Sequence, residues 1–253
     1  MVDFKKVPAV DKCFAILELI SQSDKRLGIT EISRKLGYHR STVFNLLYTL
    51  EELGVLEHDG DSKFSFGSKL YMLGKAAGNG SMLIRAVRPS LEEISFKTGL
   101  SVFLGIRAGL RAVIVDKVDS PFDIKVSSEI GMRIPLLAGA GGKVLMSQLP
   151  DAEIDKILSQ EKLRKFTAFS CTNKNKYKDM LKRAREEGFA FDDEEYIEGI
   201  RALAVPLFLG RDDLQAAIWV VGLKSQIKDE MVEPYKAIIQ NAAKKVEDHF
   251  PGQ

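Results

Sequence analysis

The sequence predicts two domains: an N-terminal, all-α-rich winged helix-turn-helix and a larger C-terminal α+β domain with a largely antiparallel sheet. Three observations carry this. Two short helical patterns meet at a tight glycine turn, and two short strand patterns follow at once, joined by Asp59-Gly60-Asp61-Ser62; this is the order of a helix-turn-helix and its wing. Beyond Gly78-Asn79-Gly80, strands are joined both by hairpins and by helices with no regular βαβ repeat, which argues an α+β arrangement. A chain of 253 residues is also too long for one small core and suits two of unequal size.

In chain order, Val10 to Ile20 places Phe14, Ile16, Leu17 and Ile20 at helical spacing. Ser21 to Gly28 is a polar break. Thr30 is the expected cap of a short helix through Leu36, with Ile32 and Leu36 inward and Gly37 as its stop. A second helix runs from about Arg40 to Leu53 on an apolar face of Val43, Leu46, Leu47 and Leu50, and Gly54 ends it. Val55–His58 and Lys63–Phe66 read as wing strands around an Asp-Gly turn. Leu70 to Ala77 is helical until Gly78-Asn79-Gly80 interrupts it. The expected division is therefore 1–67 for the winged helix, 68–80 for a linker helix and hinge, and 81–253 for the second domain.

In that domain Arg85 to Thr98 is helical, with Pro89 tolerated only near its start or at a kink. Leu100–Ile106 and Ala112–Val118 form a hairpin, and Ile124–Val126 begins another short strand. Gly139-Ala140-Gly141-Gly142 opens a helix through Leu149, and Pro150 starts the next. Tyr177 to Glu187 is a charged helix ended by Gly188. Strands at Phe189–Phe191, Ile200–Phe208 and Leu214–Gly222 precede a long helix from about Asp229 to His249.

Composition narrows the function classes. With 45% hydrophobic and 28% charged residues the chain reads as a soluble globular protein. No apolar run approaches the roughly 20 residues of a membrane span. Met1-Val2-Asp3-Phe4-Lys5-Lys6 lacks an apolar stretch, so no secretory signal is expected. Cys13 and Cys171 lie far apart and suggest a reduced, cytoplasmic setting. The three histidines, His39, His58 and His249, make no zinc spacing with each other or with the cysteines, so neither a metal nor a cofactor is expected. Net charge is only +2, yet Lys25, Arg26, Arg34, Lys35 and Arg40 face Glu31 alone between Lys25 and Tyr48. A DNA-binding module would place such a patch there, and a solvated helix face explains it about as well.

Gly28-Ile29-Thr30-Glu31-Ile32-Ser33-Arg34-Lys35-Leu36-Gly37, Ser41-Thr42-Val43-Phe44-Asn45-Leu46-Leu47 and Phe66-Gly67-Ser68-Lys69-Leu70-Tyr71-Met72-Leu73-Gly74 stand in this order in the N-terminal third. Gly131-Met132-Arg133-Ile134-Pro135-Leu136, Gly142-Lys143-Val144-Leu145 and the stretch from Gly188 through Glu195 to Gly199 and Pro206 follow. In these motifs and their spacing nearly the whole chain resembles the IclR family of transcription regulators. The resemblance implies a GAF-like effector-binding domain behind the winged helix. It also implies a double-stranded DNA operator, a small-molecule effector, and a homo-dimer or tetramer reading a two-fold-related site, with no membrane partner.

If Val43, Leu46, Leu47 and Leu50 point inward, the second helix presents Arg40, Ser41, Thr42, Phe44, Asn45 and Tyr48, a set suited to the major groove. Arg40 can meet guanine or phosphate and Asn45 adenine, Ser41 and Thr42 can hold phosphates at the helix start, and Phe44 can meet a thymine methyl. His39 is a cap or phosphate contact, and Lys63 beside the wing turn can reach phosphate or the minor groove. Carried over by motif, the family's effector pocket would include Ala140, Gly141, Asp192, Ala202, Trp219 and Val221. Backbone N–H groups at a Gly-rich helix start suit a carboxylate. Family members that bind small polar acids often carry a cysteine where Ala202 stands and serines where Trp219 and Val221 stand. The effector is then larger and partly apolar or aromatic, or Trp219 fills the cavity and selects something small; ordinary core packing would account for the tryptophan as well.

Asp192-Asp193-Glu194-Glu195 reads as a solvated acidic loop. Gly139 to Lys143 lacks the spacing of a phosphate loop, and Val144 stands where that loop needs a hydroxyl. An enzyme acting on the bound molecule is the alternative, but Cys171 has no histidine in its domain other than His249 and no G-x-S-x-G occurs. No catalytic residue is expected.

Overall fold

The computed structural model describes residues 5–21, 23, 25–210 and 214–250. Met1 to Phe4, and Gln22 and Asp24 of the expected polar break, lie outside the described residues. Contacts divide the chain into two compact units between Ser81 and Met82.

The first unit carries helices α1 (Pro8–Ser21), α2 (Ile29–Leu36) and α3 (Arg40–Glu52) on a small sheet of β1 (Leu27–Gly28), β2 (Leu56–His58) and β3 (Lys63–Phe66), in the order β1-β3-β2. Its core is Ile16, Ile20, Leu27, Ile32, Val43, Leu47, Leu50, Leu56 and Phe64, the helical and alternating positions of the sequence brought to one centre. Leu46, expected inward, is only half-buried. The cap of α2 is Gly28, not Thr30: Gly28 N donates to Glu31 Oε2 at 3.0 Å, and Thr30 lies inside the helix. The reason is β1. Pairing of Leu27 and Gly28 with β3 holds the chain extended up to Gly28, so the helix begins at the next residue. Gly37 turns the chain toward α3 at φ 69°, and Ser33 Oγ donates to Tyr38 O at 2.6 Å across that turn.

The wing turn also departs from the Asp-Gly expectation. Asp59 N donates to Lys63 O and Ser62 N to Asp59 O, and the positive φ falls on Ser62 rather than Gly60. This is a three-residue loop ending in a left-handed residue. The Asp59 carboxylate accepts from Asp61 N and Lys63 N and takes over the organising role of the glycine. After the wing, α4 (Ser68–Gly80) runs through Gly78-Asn79-Gly80 without interruption. Glycine in a helix costs about 1 kcal/mol rather than forbidding it, so the break falls after the expected glycines, at Ser81 before Met82.

The second unit is a six-stranded, wholly antiparallel sheet in the order β6-β5-β4-β9-β8-β7. Its strands are β4 (Ser101–Ala108), β5 (Arg111–Val118), β6 (Arg133–Pro135), β7 (Ala190–Asp193), β8 (Ile200–Leu207) and β9 (Ala216–Leu223). Helices α5 (Met82–Thr98) and α9 (Asp229–Glu247) pack on one face through Val102, Leu104, Leu203, Val205, Ile218 and Val220. Helices α6 (Gly139–Ser147), α7 (Asp151–Gln160) and α8 (Lys174–Glu187) cover the other through Phe103, Ala202, Ala204, Ala217, Trp219 and Val221. Odd and even residues of a strand thus serve two cores, which is why these strands read as continuous apolar runs.

Three local expectations change. Ile124–Val126 is not a strand; the edge strand is β6, paired with Arg111 to Val113 of β5. Pro89 sits inside α5, which continues to Thr98. Helix α8 starts before Tyr177, because Asn173 Oδ1 accepts from Asn175 N and Lys176 N and caps a further turn. Among the described residues no helix is long and apolar enough to cross a membrane.

Candidate functional site

The first unit offers one exposed helix edge. His39 occupies the N-cap position of α3 without a side-chain capping bond, its Nδ1 is 3.0 Å from Ser41 Oγ, and Arg40 Nη2 donates to Thr30 Oγ1 at 2.9 Å. Arg40 therefore bridges the two helices of the motif, and its remaining N–H groups are available to a partner. Ser41 and Asn45 are exposed, Thr42 is half-buried, and Lys63 is exposed at the start of β3. Phe44 leaves 47% of its surface in solvent, an apolar side chain beside the exposed Ser41 and Asn45. Tyr48 corrects the expectation of a free side chain. Its ring centroid lies 5.7 Å from that of core Phe64 in a T-shaped contact and 4.5 Å from that of Phe44. Tyr48 is half-buried and braces Phe44 from behind.

The second unit holds a cavity of about 110 Å³ whose lining includes Ala140, Gly141, Asp192, Ala202, Trp219 and Val221. The chain brings all six together from α6, β7, β8 and β9. Phe103, Met132, Tyr196 and Ile200 line it as well. The glycines at the start of α6 have separate causes. Gly139 has φ 69°, a Cβ on Gly141 would lie 3.1 Å from the Trp219 ring, and one on Gly142 would lie 2.2 Å from Leu136 O. Helix α6 can approach Trp219 and the Leu136 backbone only without those side chains. Its first N–H groups have no acceptor within the helix by construction, which favours an anion there.

Asp192 is the cavity's buried carboxyl, 4% exposed. Burial raises its pKa to about 6 against the opposing pull of Lys143. Its Oδ1 accepts from Glu195 N at 2.7 Å. Lys143 is itself buried, with Nζ bonded to Phe191 O and 2.6 Å from Glu195 Oε1. The acidic run is therefore no solvated loop. Asp193 pairs with Arg201, Glu194 is buried and pairs with Lys224 while accepting from Gly199 N, and Glu195 pairs with Lys143. Each of these three carboxylates has a partner from another part of the fold, and this ties β7 and its following turn to α6, to β8 and to the end of β9.

Two family models match the chain: the IclR helix-turn-helix domain over residues 9–60 and the bacterial transcriptional regulator IclR C-terminal domain over residues 77–248. The chain belongs to the IclR family. The HTH-type transcriptional regulator KdgR of Escherichia coli is 32% identical over 95% of this chain and 91% of its own length. A solved IclR transcriptional regulator from Alicyclobacillus acidocaldarius is 25% identical, with a TM-score of 0.78 over 96% of this chain and 99% of the other. An IclR homolog from Microbacterium hydrocarbonoxydans, solved with 4-hydroxybenzoate, shares the fold at 20% identity and a TM-score of 0.71, over 96% of this chain and 98% of its own. The protein is thus an IclR-type DNA-binding transcription regulator with an effector-binding domain.

In this IclR chain, reading from sequence missed Phe103, Met132, Tyr196, Ile200 and Lys143. Lys143 had a signal: one cation beside the apolar stretch Val144-Leu145-Met146, in a chain that also carries a four-acid run. The others are ordinary apolar or loop residues whose position depends on the folded sheet.

Proposed function

We propose that the protein acts in the cytoplasm as a homo-oligomer, dimer or tetramer, whose paired recognition helices bind a two-fold-related DNA operator. A small carboxylic acid with an apolar body, bound in the cavity of the second unit, alters that binding. His39, Arg40, Ser41, Thr42, Phe44, Asn45 and Lys63 form the DNA surface, with Tyr48 supporting Phe44. Ala140, Gly141, Asp192, Ala202, Trp219 and Val221 form the effector site. The observation that carries this reading is the cavity itself: an apolar pocket on which a helix N-terminus and one buried carboxyl, its pKa raised to about 6, converge. The helix start holds the ligand carboxylate, Asp192 donates or accepts one hydrogen bond, and the apolar walls take the body. The screen sets short-chain acids beside aromatic ones such as 4-hydroxybenzoate, the ligand of one fold neighbour.

Effector and DNA are coupled through two spacings of the recognition helices. Coupling is reciprocal, so DNA must change effector affinity by the factor by which effector changes DNA affinity. The test is a gel shift at fixed salt on the DNA upstream of the protein's own gene, with and without a panel of carboxylic acids, and with Arg40→Ala as control. Specific binding that an acid shifts supports the reading. Binding that no acid alters removes the effector part, and unequal factors in a complete binding cycle refute the simple coupling.

A further inference from the structure

We propose that Trp219 sets the upper size of the ligand: its indole occupies a slot left by Gly105 and Gly141, so the cavity admits a short-chain acid and excludes an aromatic one. The proposal rests on reading this cavity as the effector site. Trp219, the single tryptophan of the chain, projects from β9 on the face toward α6, opposite Phe103 of β4 and Ala204 of β8. A Cβ on Gly105 would lie 2.1 Å from its Cη2 and 2.3 Å from its Cζ3, and one on Gly141 would lie 3.1 Å from Cδ2 and Cε3. A side chain at Gly105 could not coexist with the ring in place. Gly105 stands within β4 without a positive φ. Glycine inside a strand weakens it and marks a bulge or a close approach; the register of β4 on β5 shifts between Leu104 and Gly105, and the Trp219 ring fills the space a side chain at Gly105 would need.

The surroundings point the same way. Ala112, Ala202, Ala204 and Ala217 present small side chains to the core the indole shares. The ring is both part of that core and a wall of the cavity, so its bulk trades directly against ligand volume. With the indole present the space is about 110 Å³, below the roughly 150 Å³ of an engineered cavity that admits benzene. A benzene ring bearing a carboxylate exceeds it. Without the indole, a ring-sized space opens beside Ala140 and Asp192.

The experiment compares wild type, Trp219→Ala and Trp219→Phe by calorimetry and ligand-induced melting shift, with butyrate, benzoate and neutral benzene as probes. The expected result is that wild type binds butyrate with a change in Trp219 fluorescence and refuses benzoate and benzene. Trp219→Ala gains both aromatic probes by at least about tenfold, the scale of shape discrimination in an apolar pocket. Trp219→Phe shows the same direction and decides the matter if the alanine variant does not fold. Benzoate and benzene bound equally by wild type and variants, including no binding by any of them, overturns the proposal. Benzene entering only the variants while neither acid binds any of the proteins upholds the size limit and refutes the carboxylic-acid reading. Gly105→Ala should lower butyrate affinity in wild type and be tolerated beside Trp219→Ala; equal effects in both backgrounds would mean the ring does not occupy the slot.

Discussion

Replacing Asp192 by Asn should make the effector-binding unit more stable above about pH 6 and leave it unchanged below about pH 4. The carboxyl is 4% exposed, and its burial, only partly offset by Lys143, raises its pKa to about 6, against about 3.9 in an unfolded chain. A carboxyl with a raised native pKa stabilises the fold while it keeps its proton. That stability is complete below about pH 4 and is lost as pH rises through about 6. At 1.36 kcal/mol per tenfold, two pH units correspond to about 3 kcal/mol of destabilisation in the wild type at pH 8. Asparagine removes that cost and keeps a carbonyl oxygen for the Glu195 N–H, now 2.7 Å from Asp192 Oδ1. Urea unfolding followed by Trp219 fluorescence reports on this unit specifically, because the chain has no other tryptophan. The difference between variant and wild type should grow from near zero at pH 4 to about 3 kcal/mol at pH 8. A difference independent of pH, or a variant less stable at pH 8, would refute the reasoning. An acid effector should likewise bind wild type more weakly above pH 6, where Asp192 carries like charge, and Asp192→Asn should flatten that dependence.

Other positions give equally direct outcomes. Arg40→Ala should weaken DNA binding in gel shifts and flatten the dependence of log affinity on log salt by about 0.9 for each phosphate that Arg40 neutralises; stability should fall by no more than about 1 kcal/mol from the broken Thr30 bond. Lys143→Met strands Glu195 beside Asp192 and should cost about 3–5 kcal/mol in urea unfolding. Adding Glu195→Gln should restore part of that loss, and strictly additive losses would show that the pair is not coupled. Gly37→Ala meets open space but keeps φ at 69°. It should therefore destabilise only the winged helix, by about 1–2 kcal/mol, read by hydrogen exchange in α2 and α3; unchanged exchange would mean the turn relaxes freely.

The winged helix was legible in the sequence because its signals are local. The spacing of Val43, Leu47 and Leu50, the stop at Gly37 and the wing strands all lie within a few turns of chain. The hairpin of β4 and β5 was legible for the same reason. Burial of Tyr48 was not, since its cover is Phe64 of the wing. The three-residue edge strand β6 is too short for periodicity and is defined only by its pairing with β5. The acidic run was misread because charge alone predicts solvation, and its partners Lys143, Arg201 and Lys224 come from other parts of the fold. In the pocket, family motifs marked Ala140, Gly141, Asp192, Ala202, Trp219 and Val221, while the cavity's volume and the slot at Gly105 follow from how β4, β9 and α6 meet.

The sequence by itself therefore determined the two-part architecture, the recognition helix and the family, since periodicity, turn chemistry and motif order are written along the chain. Only the tertiary structure decided which charges are buried, how much room Trp219 leaves, and that Asp192 keeps its proton to about pH 6. Desolvation and cavity volume belong to groups far apart in sequence that fold into contact, and no local pattern encodes them.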